Sequence, residues 1–280
     1  MFGKVINGAK AWITIKGLSF QPSELTKLSL AIMLSDLAGK FKSTGIKSEF
    51  IFLLKVAILI LIPSVLVFLE PDSGAIIFFL VITLAILIFS DIHKFWFTIV
   101  FILIALFIGG FILLYLYNKD LLINLIGTSF FYRVERLITF KTMSSYQLEN
   151  ALVAMGSSSL LGTGLGKVSL YIPEASTDFI FAFSISNFGY LCGFIILSCY
   201  FLMDLFLINK IINMKKNTLK YILISFTSIF LFGQIINIGM NLGLLPIIGI
   251  PLPFLSYGGS TLIIYFTFLS IIFNSFEKSY

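Results

Sequence analysis

Charge is what this sequence has least of. Only 11% of its 280 residues are Asp, Glu, Lys or Arg, against roughly 25% in a soluble globular domain. With 59% hydrophobic residues and 32 Phe, the chain reads as an integral membrane protein with several spans. Histidine is almost missing: His93 stands alone in a short loop and reads as solvated, and no zinc-ligand spacing surrounds it. The two cysteines, Cys192 and Cys199, fall inside one apolar run, where they read as buried thiols without a disulfide. Arginine is confined to Arg133 and Arg136, so the net charge of +6 is nearly all lysine. Much of that lysine sits in short loops, which points to membrane topology and lipid-surface charge and not to nucleic acid. Residues 1–20 lack the apolar core of about 7–15 residues that a signal peptide needs, and Trp12 reads as an interfacial anchor.

Seven apolar runs are present, at about 21–38, 50–69, 75–90, 95–117, 179–208, 221–245 and 260–273. They predict an all-α, polytopic helical membrane protein with about seven spans in a single domain, 1–280. Between the fourth and fifth runs lies one long polar interval, about 118–178. Lys40, Lys42, Lys47 and Lys55 flank one loop, and Lys210, Lys215, Lys216 and Lys220 fill another. Short lysine-rich loops face the cytoplasm, so 70–74, 118–178 and 246–259 are expected outside. Lys4, Lys10 and Lys16 then lie outside too, against the rule.

The outer segments carry the unusual chemistry. Glu24 and Lys27 share a helix face after Gln21-Pro-Ser, either as a self-satisfying ion pair or as part of a polar cavity. Glu70-Pro-Asp-Ser-Gly74 reads as a turn between two spans. Gly162-Thr-Gly-Leu-Gly166 follows no strand, does not fit dinucleotide-binding spacing, and reads as a turn. At the end of the long loop, Glu174 and Asp178 stand four residues apart at a helix mouth, where Pro173 sets the backbone and Ser176 or Thr177 can cap it. Glu174 reads equally as a helix-terminal acid. Asp178, flanked by Phe179 and Phe181, is where burial would raise a carboxyl toward a usable base. Gln234, Asn237 and Asn241 interrupt the sixth run and need partners inside a bundle, while Gly109-Gly110 lets a neighbouring helix approach. The Pro/Gly-rich stretch 246–259 is too apolar for a free loop and too broken for a span, so it reads as re-entrant or tightly packed. Acids and Gly/Pro loops gathered on one face favour an enzyme. A carrier or flippase for a lipid-linked substrate, or a non-catalytic cell-shape scaffold, are the competing readings.

These stretches resemble the SEDS family (shape, elongation, division and sporulation proteins). The matching residues are Asn7-Gly-Ala-Lys-Ala-Trp12, Gln21-Pro-Ser-Glu24 with Lys27, Glu70-Pro-Asp-Ser-Gly74, Tyr146-Gln147, Gly162 to Gly166, Pro173-Glu174, Thr177-Asp-Phe-Ile-Phe181 and Gly249 to Ser260. Ile238 through Pro253 looks more like the RodA branch than the FtsW branch, with Glu70 a weak sign the other way. The resemblance implies a peptidoglycan glycosyltransferase of the inner (plasma) membrane, active on its outer face. Such an enzyme polymerises lipid II beside a class B penicillin-binding protein. It places the catalytic carboxylate on Asp178. Glu24, Lys27, Asp72, Arg136, Lys167, Glu174, Ser256 and Tyr257 become substrate-binding candidates, with Lys27, Arg136 and Lys167 the cations for the departing diphosphate. No protein-held metal is expected, and a need for a divalent cation stays open. Three departures stand out. Seven spans replace the family's roughly ten, so the others are expected before Met1. Ser186-Asn187 stands where many members have Glu-Glu after the aspartate, putting full activity in doubt. Ser158-Ser159 stands where Gly-Gly is usual.

Overall fold

The computed structural model describes residues 4–6, 9–15, 18–70, 72–128, 131, 135, 146–165 and 170–277. The chain opens with an antiparallel sheet, β1 (Lys4–Ile6), β2 (Ala9–Ile15) and β3 (Leu18–Phe20), in that order. The all-α expectation therefore holds for the bundle and misses this small sheet. Asn7-Gly8, a strong two-residue hairpin signal, stands between β1 and β2.

Seven long helices coincide with the seven apolar runs: α1 (Pro22–Lys40), α2 (Ile46–Leu69), α3 (Ser73–Phe89), α4 (Lys94–Tyr117), α7 (Ile180–Asn213), α8 (Thr218–Asn241) and α9 (Gly259–Glu277). Among the described residues, the shorter helices α5 (Lys119–Ile126) and α6 (Tyr146–Gly156) lie between α4 and α7. Among the described residues, α2, α4, α7 and α8 are long and apolar enough to cross a membrane, and α3 and α9 carry shorter apolar stretches, Gly74–Phe89 and Gly259–Phe273.

Helix α8 is central. It packs against α1, α3, α6, α7 and α9 and buries Tyr221, Phe226, Phe230 and Met240. A helix apolar nearly all round belongs inside such a bundle. Helix α4 is the opposite case: it has no buried residue, and the β-carbons that Gly109 and Gly110 lack would meet nothing within 4 Å. No close helix neighbour is seated on the Gly-Gly pair among the described residues, contrary to the expectation.

The fifth apolar run is broken at Gly189, whose φ of 84° only glycine adopts without strain. Gly193 then faces Ile185, so the first turns of α7 fold back on the long part. Gly162 and Gly189 touch backbone to backbone: a β-carbon on either would lie 2.1 Å from a carbonyl oxygen of the other segment.

The bundle has two ends. At one, Gly39 meets Thr218, Lys216 pairs with Asp91, and the Tyr221 hydroxyl donates to Phe89 O at 2.9 Å. Both lysine loops are therefore at this end. Here too Glu49, fully buried, accepts from Ser43, from Trp96 Nε1 at 2.9 Å and from His93 N at 3.2 Å, with His93 Nδ1 at 2.5 Å. His93 is solvated as expected, its ring largely exposed, and it also helps satisfy a buried carboxylate that would otherwise be costly. Asp72, Thr177, Asp178, Gly249 and Tyr257, from the expected outer segments, gather at the other end.

Candidate functional site

A cleft of about 620 Å³, counting its open mouth, lies at that other end. Helix α1 supplies Glu24 and Lys27 from its first two turns. Both are buried, and Lys27 Nζ donates to Glu24 Oε1 at 2.6 Å. The same ammonium lies 4.3 Å from the centroid of Phe78, a cation–π contact. Neither of the two alternatives left open for this pair has to be dropped, since it is a satisfied ion pair that also lines the cleft.

Asp72 caps α3, accepting from Ala75 N at 3.2 Å on Oδ1. Its Oδ2 accepts from Gln21 Nε2 at 2.7 Å and Ser23 Oγ at 2.8 Å. Asp72 thus fastens the start of α1 to the start of α3 while lining the cleft.

Asp178 enters from the segment before α7. Its carboxylate is partly buried, and Oδ2 lies 3.4 Å from where a β-carbon on Gly249 would sit. Burial, and secondarily the negative charge of Glu174, pushes the carboxyl up to about 6. Three successive carbonyls hold this segment. Ser176 O accepts from Tyr257 N at 2.8 Å. Thr177 O accepts from Ser256 Oγ at 2.5 Å. Asp178 O accepts from Asn237 Nδ2 and Asn241 Nδ2, each at 2.9 Å. Residues 246–258 and α8 therefore grip the backbone around Asp178 from two sides.

The other candidates divide. Tyr257 lines the cleft and is 79% exposed, free to meet a ligand. Ser256 is not among the lining residues; its hydroxyl, buried, also accepts from Leu252 N at 2.7 Å, so it fastens the loop. Glu174 is exposed, with φ of 53°, and its Oε2 accepts from Thr177 Oγ1 at 2.9 Å. It borders a separate hollow with Tyr171, Ile180 and Phe183. Arg136 and Lys167 lie outside the described residues. Ser186 and Asn187 are buried and line no part of the cleft. Their backbone carbonyls instead accept from Thr163 N and Gly164 N at 3.1 and 3.0 Å. The Glu-Glu departure thus removes no acid from this cleft. Ser158 Oγ donates to Ile185 O at 2.7 Å, tying the turn to α7.

Sequence reasoning missed Trp12, Gln21, Thr177, Pro251 and Thr261 as cleft residues. Trp12 in particular lines the cleft besides any interfacial role. Among the described residues no three His, Cys, Asp or Glu side chains converge as metal ligands.

A half-buried carboxylate poised near neutrality, facing an open cleft that also holds a buried ammonium, suits proton abstraction beside a developing negative charge. Comparison with known proteins gives the family. The FtsW/RodA/SpoVE cell cycle protein family matches residues 1–279, and the chain belongs to this family. It is 34% identical over 289 residues to the probable peptidoglycan glycosyltransferase FtsW of Wigglesworthia glossinidia brevipalpis, covering 98% of this chain and 71% of that one. It matches a chain of a peptidoglycan synthase complex that coordinates polymerisation and crosslinking, at TM-score 0.70 and 25% identity, covering 96% and 74%. The rod shape determining protein RodA of Thermus thermophilus shares the fold at TM-score 0.60 and 24% identity, covering 96% and 70%. Likeness thus extends to both branches, and the leaning toward RodA gains no support from the sequence relative.

Proposed function

We propose that this chain is a peptidoglycan glycosyltransferase that polymerises lipid II on the outer face of the inner membrane, with Asp178 as the general base. The observation that carries this reading is the raised carboxyl of Asp178 in the cleft of Glu24, Lys27 and Asp72. The acceptor sugar's hydroxyl gives its proton to Asp178 as its oxygen bonds to the anomeric carbon of the donor. The bond from that carbon to the lipid diphosphate breaks, and the electron pair leaves with the diphosphate. Lys27 is the described cation placed to steady that charge, and Arg136 and Lys167 are further candidates. A base opposite the leaving group inverts the anomeric centre, by analogy with inverting sugar hydrolysis. The working partner is a class B penicillin-binding protein, in keeping with the synthase complex that the fold matches. The two lysine loops, at the end of the bundle opposite the cleft, support an orientation with the cleft away from the cytoplasm.

The test is polymerisation of purified lipid II by the full chain with that partner present. Asp178→Asn keeps size but cannot accept the proton, so the rate is expected to fall about 10²–10⁴-fold. Glu174→Gln, on the neighbouring hollow, is expected to do less. Near-parental polymerisation by Asp178→Asn overturns the assignment.

A further inference from the structure

Asn237 and Asn241 are both fully buried on α8, one turn apart. Each donates to the carbonyl of Asp178 at 2.9 Å. Asn237 Nδ2 also donates to Ile250 O at 2.8 Å, in the loop whose Gly249 abuts the Asp178 carboxylate. Asn241 Oδ1 accepts from Ala182 N at 3.0 Å, in the first turn of α7, and its amide nitrogen also reaches Asn237 O at 2.8 Å. Two amides therefore close a network over three elements: the 176–178 segment, the first turn of α7, and the 246–258 loop, the first and last of which also meet through the Ser176 and Thr177 carbonyls.

We infer that Asn237 and Asn241 are positioning residues for the reaction, holding Asp178 by its own backbone carbonyl against the glycine wall of the cleft. The inference rests on Asp178 being the base. Both amides act through the main chain and neither lines the cleft. Removing one leaves a buried carbonyl short of a donor and releases the carboxylate to shift or tilt. Misplacement of a reacting group by about 1 Å costs on the order of 10²-fold in rate. The groups that share the cleft with the carboxylate, Glu24, Lys27, Asp72 and Tyr257, are unchanged by these substitutions, as is Glu174 beside it.

The test compares Asn237→Ala, Asn241→Ala and the same-sized Asn241→Asp with the parent and with Gln234→Ala, in the full chain, with purified lipid II. Gln234 is the control: it lies on the same helix, is buried, and donates to Asp204 Oδ1 at 3.0 Å instead. The asparagine variants are expected to lose kcat by about 10–100-fold with KM little changed. The acid limb of their pH profile should shift, since a displaced carboxylate meets different solvent. Gln234→Ala is expected to keep kcat and the limb even where its thermal midpoint falls. Folded asparagine variants with parental kcat and an unmoved limb overturn the inference. So does a kcat loss that Gln234→Ala shares, or failure of all three asparagine variants to give folded protein, because the pair is then a folding determinant only. If Asp178→Asn is itself active, the reading of the base fails first, and that result is separate from these.

Discussion

Asp178 shows how a single side chain acquires function from its surroundings. Its carboxyl is lifted from 3.8 to about 6, by burial first and by Glu174 second. Two pH effects of opposite sense follow. Polymerisation should rise with pH through about 6, as the base loses its proton, and level off above. Stability should move the other way. Between the unfolded value near 3.8 and the folded value near 6, the folded protein holds a proton that the unfolded chain has released. Raising the pH through that window therefore lowers stability, by up to about 3 kcal/mol. Asp178→Asn should unfold at a higher temperature than the parent at pH 7, with the difference closing below pH of about 4. An unfolding series against pH in detergent would show it, and a constant difference at every pH would refute the burial argument. Glu24 and Lys27 are paired at 2.6 Å with almost no exposure. Removing one leaves the other charged and buried, at about 3–5 kcal/mol. Either single alanine variant should therefore accumulate less than the double variant, as measured by yield of folded protein.

At the scale of elements, glycine placement separates structural need from tolerance. A β-carbon on Gly189 would lie 2.1 Å from Leu160 O, at a φ of 84°. Gly189→Ala should therefore prevent α7 from folding back and sharply reduce folded protein. Gly109→Ala in α4 meets nothing within 4 Å. It should be neutral or stabilising by roughly 0.5–1 kcal/mol, as for Gly in any helix interior. Equal yields for the two variants would contradict the described packing. The same contrast explains what was readable. An unbroken apolar run of 179–208 reads as one span, because apolar length carries no direction. The φ of 84° at Gly189 and the approach of Gly193 to Ile185 show that the chain folds back there, and Ser159 O and Leu160 O tie the bend by accepting from Tyr190 N and Leu191 N, at 3.3 and 3.2 Å.

For the whole molecule, the placement of the two lysine loops and of the Asp178 cleft at opposite ends of one bundle sets up the topology test. A reporter fused after Lys216 should label from the cytoplasm, and one inserted near Lys141 from outside. Opposite labelling would invert the orientation and remove the outer-face site. Composition alone determined that this is a multi-pass helical membrane protein, because so little charge leaves no soluble alternative. The seven helices were legible from apolar length, and Asp178, Glu24 and Lys27 from acids and lysine where the chain should be greasy. The small sheet was not, since strands of three to seven residues carry little periodicity. Nor was the sorting of the candidates: Tyr257 into the cleft, Ser256 into a backbone tie, Glu174 into the next hollow. Asn237 and Asn241 show the reason. Sequence determined that two amides in an apolar helix must find partners, because an unsatisfied polar group there is costly. Only tertiary structure decided that the partner is the carbonyl of Asp178, because hydrogen bonds between residues 59 and 63 positions apart depend on how helices pack and leave no local signal in the chain.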